Sequence, residues 1–291
     1  MKASLFERIT VSKKKRLQRL KDSVIAYLSA IPQNKIKDEQ KQVLEFLKHH
    51  DMAVFPYEFT GKYNPEDIPI SYDDAQKLFF TPWEGGNLYY KNGSQKKKAQ
   101  RYFNSLRLEQ DIQSPHRYLT SDFTVSENDI IADVGAAEGN FSLSVVNKAK
   151  HIYLFEPEPG WVKALKATFA PWKEKVTIVQ KFISDKTGGN SITLDDYFSG
   201  DKVVDFIKAD VEGAEHSLIR GAAGLIQRHQ KLKIALCTYH SQDDATQLED
   251  LLKNHGFTTR FSDGYMLYYY GKQNIVKPPY LRRAVLRATK P

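Results

Sequence analysis

The chain has 291 residues, 41% of them hydrophobic, and a formal net charge of +8. That length and apolar content allow a sizeable buried core and exclude disorder as the default state. A single cysteine, Cys237, excludes an internal disulfide and any cysteine-based metal spacing. Inside its apolar run it reads as a small buried residue in a reducing compartment.

The opening stretch MKASLFERITVSKKKR has no continuous apolar core and does not read as a signal peptide. The apolar run 24–31 is too short to span a bilayer. The expectation is a soluble, cytoplasmic protein. Residues 15–31 carry Leu17, Leu20, Val24, Leu28 and Ile31 at helical spacing, stopped by Pro32. Residues 38–49 predict a second helix, with Asp38 as its N-cap and Val43, Phe46 and Leu47 on one side. His49 and His50 in its last turn fit the electrostatics of a helix C-terminus better than a ligand role.

From 55 to 93 the chain turns aromatic and rich in proline and glycine. Strands are expected at 68–72 and 87–91, with turns at Gly85-Gly86 and Asn92-Gly93. The sequon Asn92-Gly-Ser lacks a secretory context and is set aside. Helix returns over 96–113, and His116 and Arg117 then precede an α/β pattern. The expected division is an N-terminal helical and irregular β region (1–113), a nucleotide-binding-type domain (114–272) and a basic tail (273–291).

Residues 129–134 form a short apolar run suited to a buried parallel strand. Asp133-Val-Gly135-Ala-Ala-Glu-Gly139 turns the chain into a helix bearing Phe141, Val145 and Val146. Residues 151–155 predict the second strand, with Glu156 at its carboxyl end. A carboxylate about twenty residues past a glycine turn is the ribose-binding arrangement of nucleotide folds. The turn is not G-x-G-x-x-G, so it lacks the pattern that aims main-chain N–H groups at a pyrophosphate. S-adenosylmethionine (SAM) has a ribose and a cationic end but no phosphate. The loop together with Glu156 therefore reads as a SAM site rather than a βαβ unit with glycines for packing.

A helix is expected over 159–169, a third strand over 176–183 ending in Ser184 and Asp185, and a turn or short helix carrying the solvated pair Asp195 and Asp196. A fourth strand, 203–209, leads into Asp210-Val-Glu212-Gly213-Ala-Glu215. The fifth, 232–238, ends in Tyr239 and His240. A hairpin of 257–261 and 265–270 turning at Asp263-Gly264 is expected to close the sheet. The alternation predicts a doubly wound, mainly parallel, seven-stranded α/β sheet. Ligands in such sheets lie across the strand carboxyl ends, where Asp133, Glu156, Asp185, Asp210 and His240 all fall.

DVGAAEGNFSLSVV, YLFEPEP, ITLDDYF and DFIKADVEGAEHSLIRGA resemble the FkbM family of methyltransferases. Lys208-Ala-Asp210-Val-Glu212-Gly213-Ala-Glu215 matches its K-x-D-x-E-G-x-E signature residue for residue. One departure is that no glutamate precedes His240 at the end of the fifth strand. The resemblance implies SAM-dependent O-methylation, commonly of sugars in glycans or secondary metabolites. It implies cofactor contacts at Asp133, Gly135, Gly139 and Glu156. Ala136, Ala137, Asn140 and Phe141 of the turn, Pro157 after Glu156, and Ser184 with Asp185 near the adenine join that expected set.

A sugar hydroxyl is a poor nucleophile, and a positioned base helps it attack. Asp210 or His240 is the expected base, with Glu212 and Glu215 orienting the acceptor. A divalent cation on Asp210 and Glu212 is the alternative. The basic residues cluster at Lys13 to Arg16, at Lys96 to Lys98, and at Arg282, Arg283, Arg287 and Lys290. They keep two other readings open: an RNA methyltransferase, disfavoured because no RNA-binding motif is present, and a peripheral membrane contact through the tail. Lys277-Pro-Pro-Tyr280 resembles the tetrapeptide of amine methylation but lies beyond the expected sheet. A non-catalytic SAM-binding protein is the third reading. The acceptor and the oligomeric state are not legible.

Overall fold

The computed structural model describes residues 5–91, 95–200, 202–270 and 276–290, with side chains from residue 14 onward. The Asn92-Gly93 turn, the sequon and the Lys13 side chain lie outside the described residues. Two helices open the chain, α1 (Leu5–Ser29) and α2 (Asp38–His49). Asp38 is not the cap of α2. Lys37 is, and its N–H donates to the Gln40 side chain at 2.9 Å. Asp38 instead supplies negative charge to the first turn. His49 and His50 are held locally, by Glu45 at 2.9 Å and by the Phe46 carbonyl at 3.1 Å.

Three antiparallel strands follow: β1 (Ser71–Asp73), β2 (Leu78–Trp83) and β3 (Gly86–Tyr90). The middle strand was not expected, because Pro82 interrupts its apolar run. Helix α3 (Lys96–Glu109) ends four residues before the expected 113.

The second part alternates as its periodicity predicts. In order come β4 (Ile130–Val134), α4 (Asn140–Val145), β5 (His151–Phe155), α5 (Pro159–Thr168), β6 (Val176–Val179), β7 (Phe182–Ile183), β8 (Ser191–Ile192) and α6 (Leu194–Tyr197). Next are β9 (Phe206–Ala209), α7 (Glu215–Arg220), α8 (Ala223–Arg228), β10 (Leu232–Cys237), α9 (Asp244–Asn254), β11 (Thr258–Phe261), β12 (Met266–Leu267), β13 (Leu281–Arg282) and β14 (Val285–Lys290). The large sheet has seven strands in the order β11-β14-β10-β9-β4-β5-β6. β10, β9, β4, β5 and β6 run parallel, and β14 is antiparallel to both neighbours. This is the expected doubly wound, mainly parallel, seven-stranded α/β sheet.

Successive strand residues face opposite sides, so the apolar runs feed two cores. Ile131, Ile152, Leu154, Phe206 and Cys237 pack on one face. Ala132, Val134, Ile207, Ala209, Ile234 and Leu236 pack on the other. A fully buried side chain of Leu, Ile or Phe size stabilises by roughly 1.5–3 kcal/mol, which is why these runs tolerate no exposed register.

Two expectations about the C-terminus are corrected. The stretch 265–270 does not pair with β11; β12 pairs with β13. The stretch after 276 is not a tail, because β14 lies inside the sheet between β10 and β11. Its arginines are bonded internally. Arg282 donates to the carbonyls of Tyr239 and His240, Arg283 grips both oxygens of Glu39 at 2.8 Å, and Arg287 donates to the carbonyls of Arg117 and Tyr118. The Arg283–Glu39 fork, with Val24, Leu28, Val43, Phe46 and Leu47 against Tyr265, Leu267 and Leu281, ties the N-terminal helices to it. Asp195 is not merely solvated: its carboxylate accepts the N–H groups of Gly224 and Leu225 at the start of α8. Among the described residues no helix is long and apolar enough to cross a membrane.

Candidate active site

A cavity of about 520 Å³ opens at the carboxyl ends of β4, β5 and β9. Volumes of this order suit a small organic ligand. Its wall includes Gly135, Ala136, Ala137 and Asn140 of the turn, Glu156 and Pro157 after β5, and Asp210 and Glu212 after β9. The sheet brings these together because the three strands are adjacent and parallel, so their ends share one rim.

Gly135 has φ +71°, and a Cβ there would meet the Asp210 carbonyl oxygen at 1.9 Å. Its bareness therefore lets the turn after β4 press on the turn after β9. Gly139, φ +83°, serves packing: a Cβ would strike Phe169 and Leu165. Ala137 and Glu212 hold φ of +47° and +52°, a region that costs a non-glycine residue free energy and recurs at binding sites.

Glu156 points at the turn. Its Oε2 accepts the Ala137 N–H at 3.0 Å and its Oε1 accepts the Glu158 N–H at 2.8 Å. A carboxylate has about four lone-pair sites, so each oxygen keeps capacity for another donor. Burial raises its pKa despite those two bonds.

Asp210 sits in a cage of donors. Tyr118 donates to Oδ2 at 3.2 Å and Tyr239 to Oδ1 at 3.2 Å. His240 Nε2 is 3.5 Å from Oδ1 and His116 Nε2 is 3.8 Å from Oδ2. Burial pushes its carboxyl up, but Lys208, His116, His240 and Tyr118 outweigh that and hold its pKa below the ordinary value. Behind it, His240 Nδ1 lies 2.9 Å from Oε1 of the fully buried Glu215. Burial lowers the His240 pKa, but Glu215 and Asp210 outweigh it and the net shift is upward. Glu215 is thus more than a first-turn helix acid. Glu212 is mostly exposed, with Oε2 3.7 Å from His240 Nε2.

Several expected contacts lie away from this cavity. Asp133 is fully buried and pairs with Lys208 at 3.1 Å while accepting from Ser142 Oγ at 2.7 Å. Phe141 is buried against Tyr118 and Phe206. Ser184 and Asp185 are outside the lining; Asp185 pairs with Arg220 at 3.1 Å, and Ile183 reaches the cavity in their place.

The sequence reading missed further residues of the wall. Tyr102, Glu109, Tyr118, Glu138, Trp161 and Lys208 also line the cavity. Lys208 was legible as the one charge inside the buried run Phe206–Ala209. Glu109, at the end of α3, carried no such signal. Burial, with Glu138 and Asp210 nearby, pushes its pKa up to about 8, and burial pushes Glu138 up to about 7.

The cations at this rim are engaged. Lys208 is bonded to the Gly135 carbonyl and paired with Asp133, Lys91 is paired with Glu158, and Lys181 donates to the Gly189 carbonyl. The cavity therefore presents a surplus of carboxylates, which fits a cationic ligand. The paired main-chain turn and Glu156 fit a ribose. Both features suit SAM. Asp210, Glu215 and His240 also bring three metal-type ligand atoms within 4.8 Å of one another.

Residues 173–259 match the family model "Methyltransferase FkbM domain". That match bears out the resemblance read from the signature. No curated protein matches the chain. Among solved structures, the chain is similar to the methyltransferase FkbM of Methylobacillus flagellatus KT, at 17% identity and a TM-score of 0.47. That alignment covers 66% of this chain and 53% of that one, so the chain matches about half the length of that protein. It is also similar to precorrin-6y C5,15-methyltransferase of Geobacter metallireducens GS-15, at 15% identity, 58% and 85% coverage and a TM-score of 0.40. A third likeness is to the SMU.1697c protein of Streptococcus mutans in complex with SAH, at 15% identity, 57% and 90% coverage and a TM-score of 0.38. Likenesses this distant say nothing about the acceptor.

Proposed function

We propose that this chain, whose residues 173–259 match an FkbM methyltransferase domain, moves a methyl group from SAM to a hydroxyl of a sugar or glycan. The observation that carries the reading is the cavity itself: carboxylates in surplus, at adjacent strand ends, around a glycine turn whose N–H is tied to Glu156. Glu156 and the main chain of 135–137 hold the ribose, and Asn140 and Pro157 border it. Bound there, SAM supplies a reactive methyl group on a sulfonium.

The residues of this chain supply position and proton handling. Holding an oxygen in line at near-attack distance accounts for most of the acceleration available to such a displacement. Asp210 is ionised at neutral pH and lines the cavity, so it accepts a hydrogen bond from the acceptor hydroxyl. Its depressed pKa makes it a weak proton sink. As the new C–O bond forms and the methyl–sulfur bond breaks, the hydroxyl proton passes through Asp210 to His240, which is backed by Glu215 and stands 3.5 Å behind it. A divalent cation on Asp210, Glu215 and His240 is the competing way to lower the hydroxyl pKa. An RNA acceptor is not favoured, since Arg282, Arg283 and Arg287 are bonded inside the fold.

The test is SAM turnover against a panel of glycosides, with SAH release as readout, before and after chelator. Formation of a methyl ether that survives chelator supports the reading with His240 as base. Loss restored by magnesium moves the proton step to a metal. SAH binding without turnover on any hydroxyl acceptor contradicts the catalytic reading.

A further inference from the structure

A second cavity, of about 530 Å³, adjoins the first. The two share Glu109 and Tyr239 as lining residues. The second is walled mainly by Val54, Phe55, Leu108, Met266, Tyr268 and Tyr269, drawn from the N-terminal region and the β12 segment. Its polar groups are those of Thr60, Ser105, Glu109 and His116 and the hydroxyls of its tyrosines. His116 is 3% exposed, and its Nδ1 has no hydrogen-bond partner among the described residues. A buried ring nitrogen left without a partner beside a cavity requires an explanation in the site it borders. The Nε2 of the same ring faces the chemistry, 3.3 Å from the Tyr239 hydroxyl and 3.8 Å from Asp210.

We propose that this second cavity is the acceptor subsite and that it takes a glycoside with an apolar aglycone. The hydroxyl-bearing ring lies toward Glu109, Tyr239 and His116, and the aglycone lies among Val54, Phe55, Leu108 and Met266. A free polyhydroxy sugar or a bare polysaccharide has a hydroxyl on nearly every carbon. Most of that wall has nothing to bond them, and each unpaired buried hydroxyl costs binding free energy. Tyrosine faces beside an apolar floor suit a ring with one polar edge and one apolar end. Glu109 is a positioning residue here, at the passage between the cavities.

The inference rests on the cofactor reading above, and the test separates the two. Wild-type protein saturated with SAH is titrated with 4-methylumbelliferyl glycosides of glucose, galactose and mannose, and with the free sugars. At least one aryl glycoside is expected to bind about tenfold or more tightly than its free sugar. Leu108→Arg, which fills the apolar floor with charge, is expected to erase that margin while SAH affinity is unchanged. Tyr268→Ala, which opens the wall, is expected to reduce it severalfold and guards against a misfolded Leu108 variant. Equal binding of aryl glycosides and free sugars, or a margin that survives in both variants, overturns the proposal with the cofactor reading intact. Failure of SAH itself to bind wild type overturns both.

Discussion

Lys208 Nζ stands 3.1 Å from Asp133 Oδ1, with both side chains buried, and donates to the Gly135 carbonyl at 2.7 Å. The strand-end acid and the signature lysine thus hold the glycine turn from within. Burial pushes the Lys208 pKa down, but Asp133 and Asp210 outweigh it and the net shift is upward. Removing one partner of a buried pair leaves an uncompensated charge. Lys208→Met is expected to lower unfolding stability by about 3–5 kcal/mol, measured by urea denaturation. Asp133→Leu combined with Lys208→Met is expected to recover much of that loss. A single variant within 1 kcal/mol of wild type, on the order of a surface pair, contradicts the structural role.

Asp210→Asn is expected to abolish measurable turnover, a loss on the order of 10²–10⁴, while SAM still binds. The asparagine keeps the shape of the cage formed by Tyr118 and Tyr239 but loses the charge. Steady-state rates paired with calorimetric affinity check this. Near-wild-type turnover removes Asp210 from the mechanism.

Glu109 and Glu138 give a pH signature. Their folded-state pKa values, about 8 and about 7, lie above the ordinary carboxyl value of 4.5. Groups raised on folding give stability that is present in full below the unfolded value and is lost as pH rises through the folded value. The ligand-free protein is therefore expected to melt at lower temperature as pH goes from 5 to 8.5. Glu109→Gln is expected to flatten that slope. A sulfonium favours the ionised carboxylates, so SAM binding at pH 7 is expected to release protons, measured in buffers of different ionisation heat. A pH-independent melting temperature contradicts the burial of these groups.

Deletion of residues 276–290 is expected to abolish cooperative folding. It removes β14 from between β10 and β11 and leaves two strands with unpaired edges. Thermal unfolding by circular dichroism checks this. A stable, cooperative truncated protein contradicts the sheet order.

The fold was legible where chemistry repeats. Apolar runs such as Ile130–Val134 and Leu232–Cys237, punctuated by glycine turns, specify buried parallel strands. Val285–Lys290 was not legible, because Arg287 and Lys290 read as solvent charge. Nothing in the sequence shows that Arg287 finds its acceptors in Arg117 and Tyr118, some 170 residues away. The strand-end rule placed Glu156, Asp210 and His240 around one rim. It does not say which way a side chain turns: Asp133 turns to Lys208 and Asp185 to Arg220. Glu109 and Tyr118 arrive from segments outside the sheet, so no strand-end pattern points to them.

The most direct test of the account is equilibrium binding of SAM to wild type and to Glu156→Gln. The glutamine keeps the size but leaves an amide N–H₂ facing one of the two main-chain N–H groups now bonded to Glu156. The account predicts saturable one-to-one binding by wild type and a loss of about tenfold or more in the variant. No binding by wild type, or equal affinity in the two proteins, contradicts it.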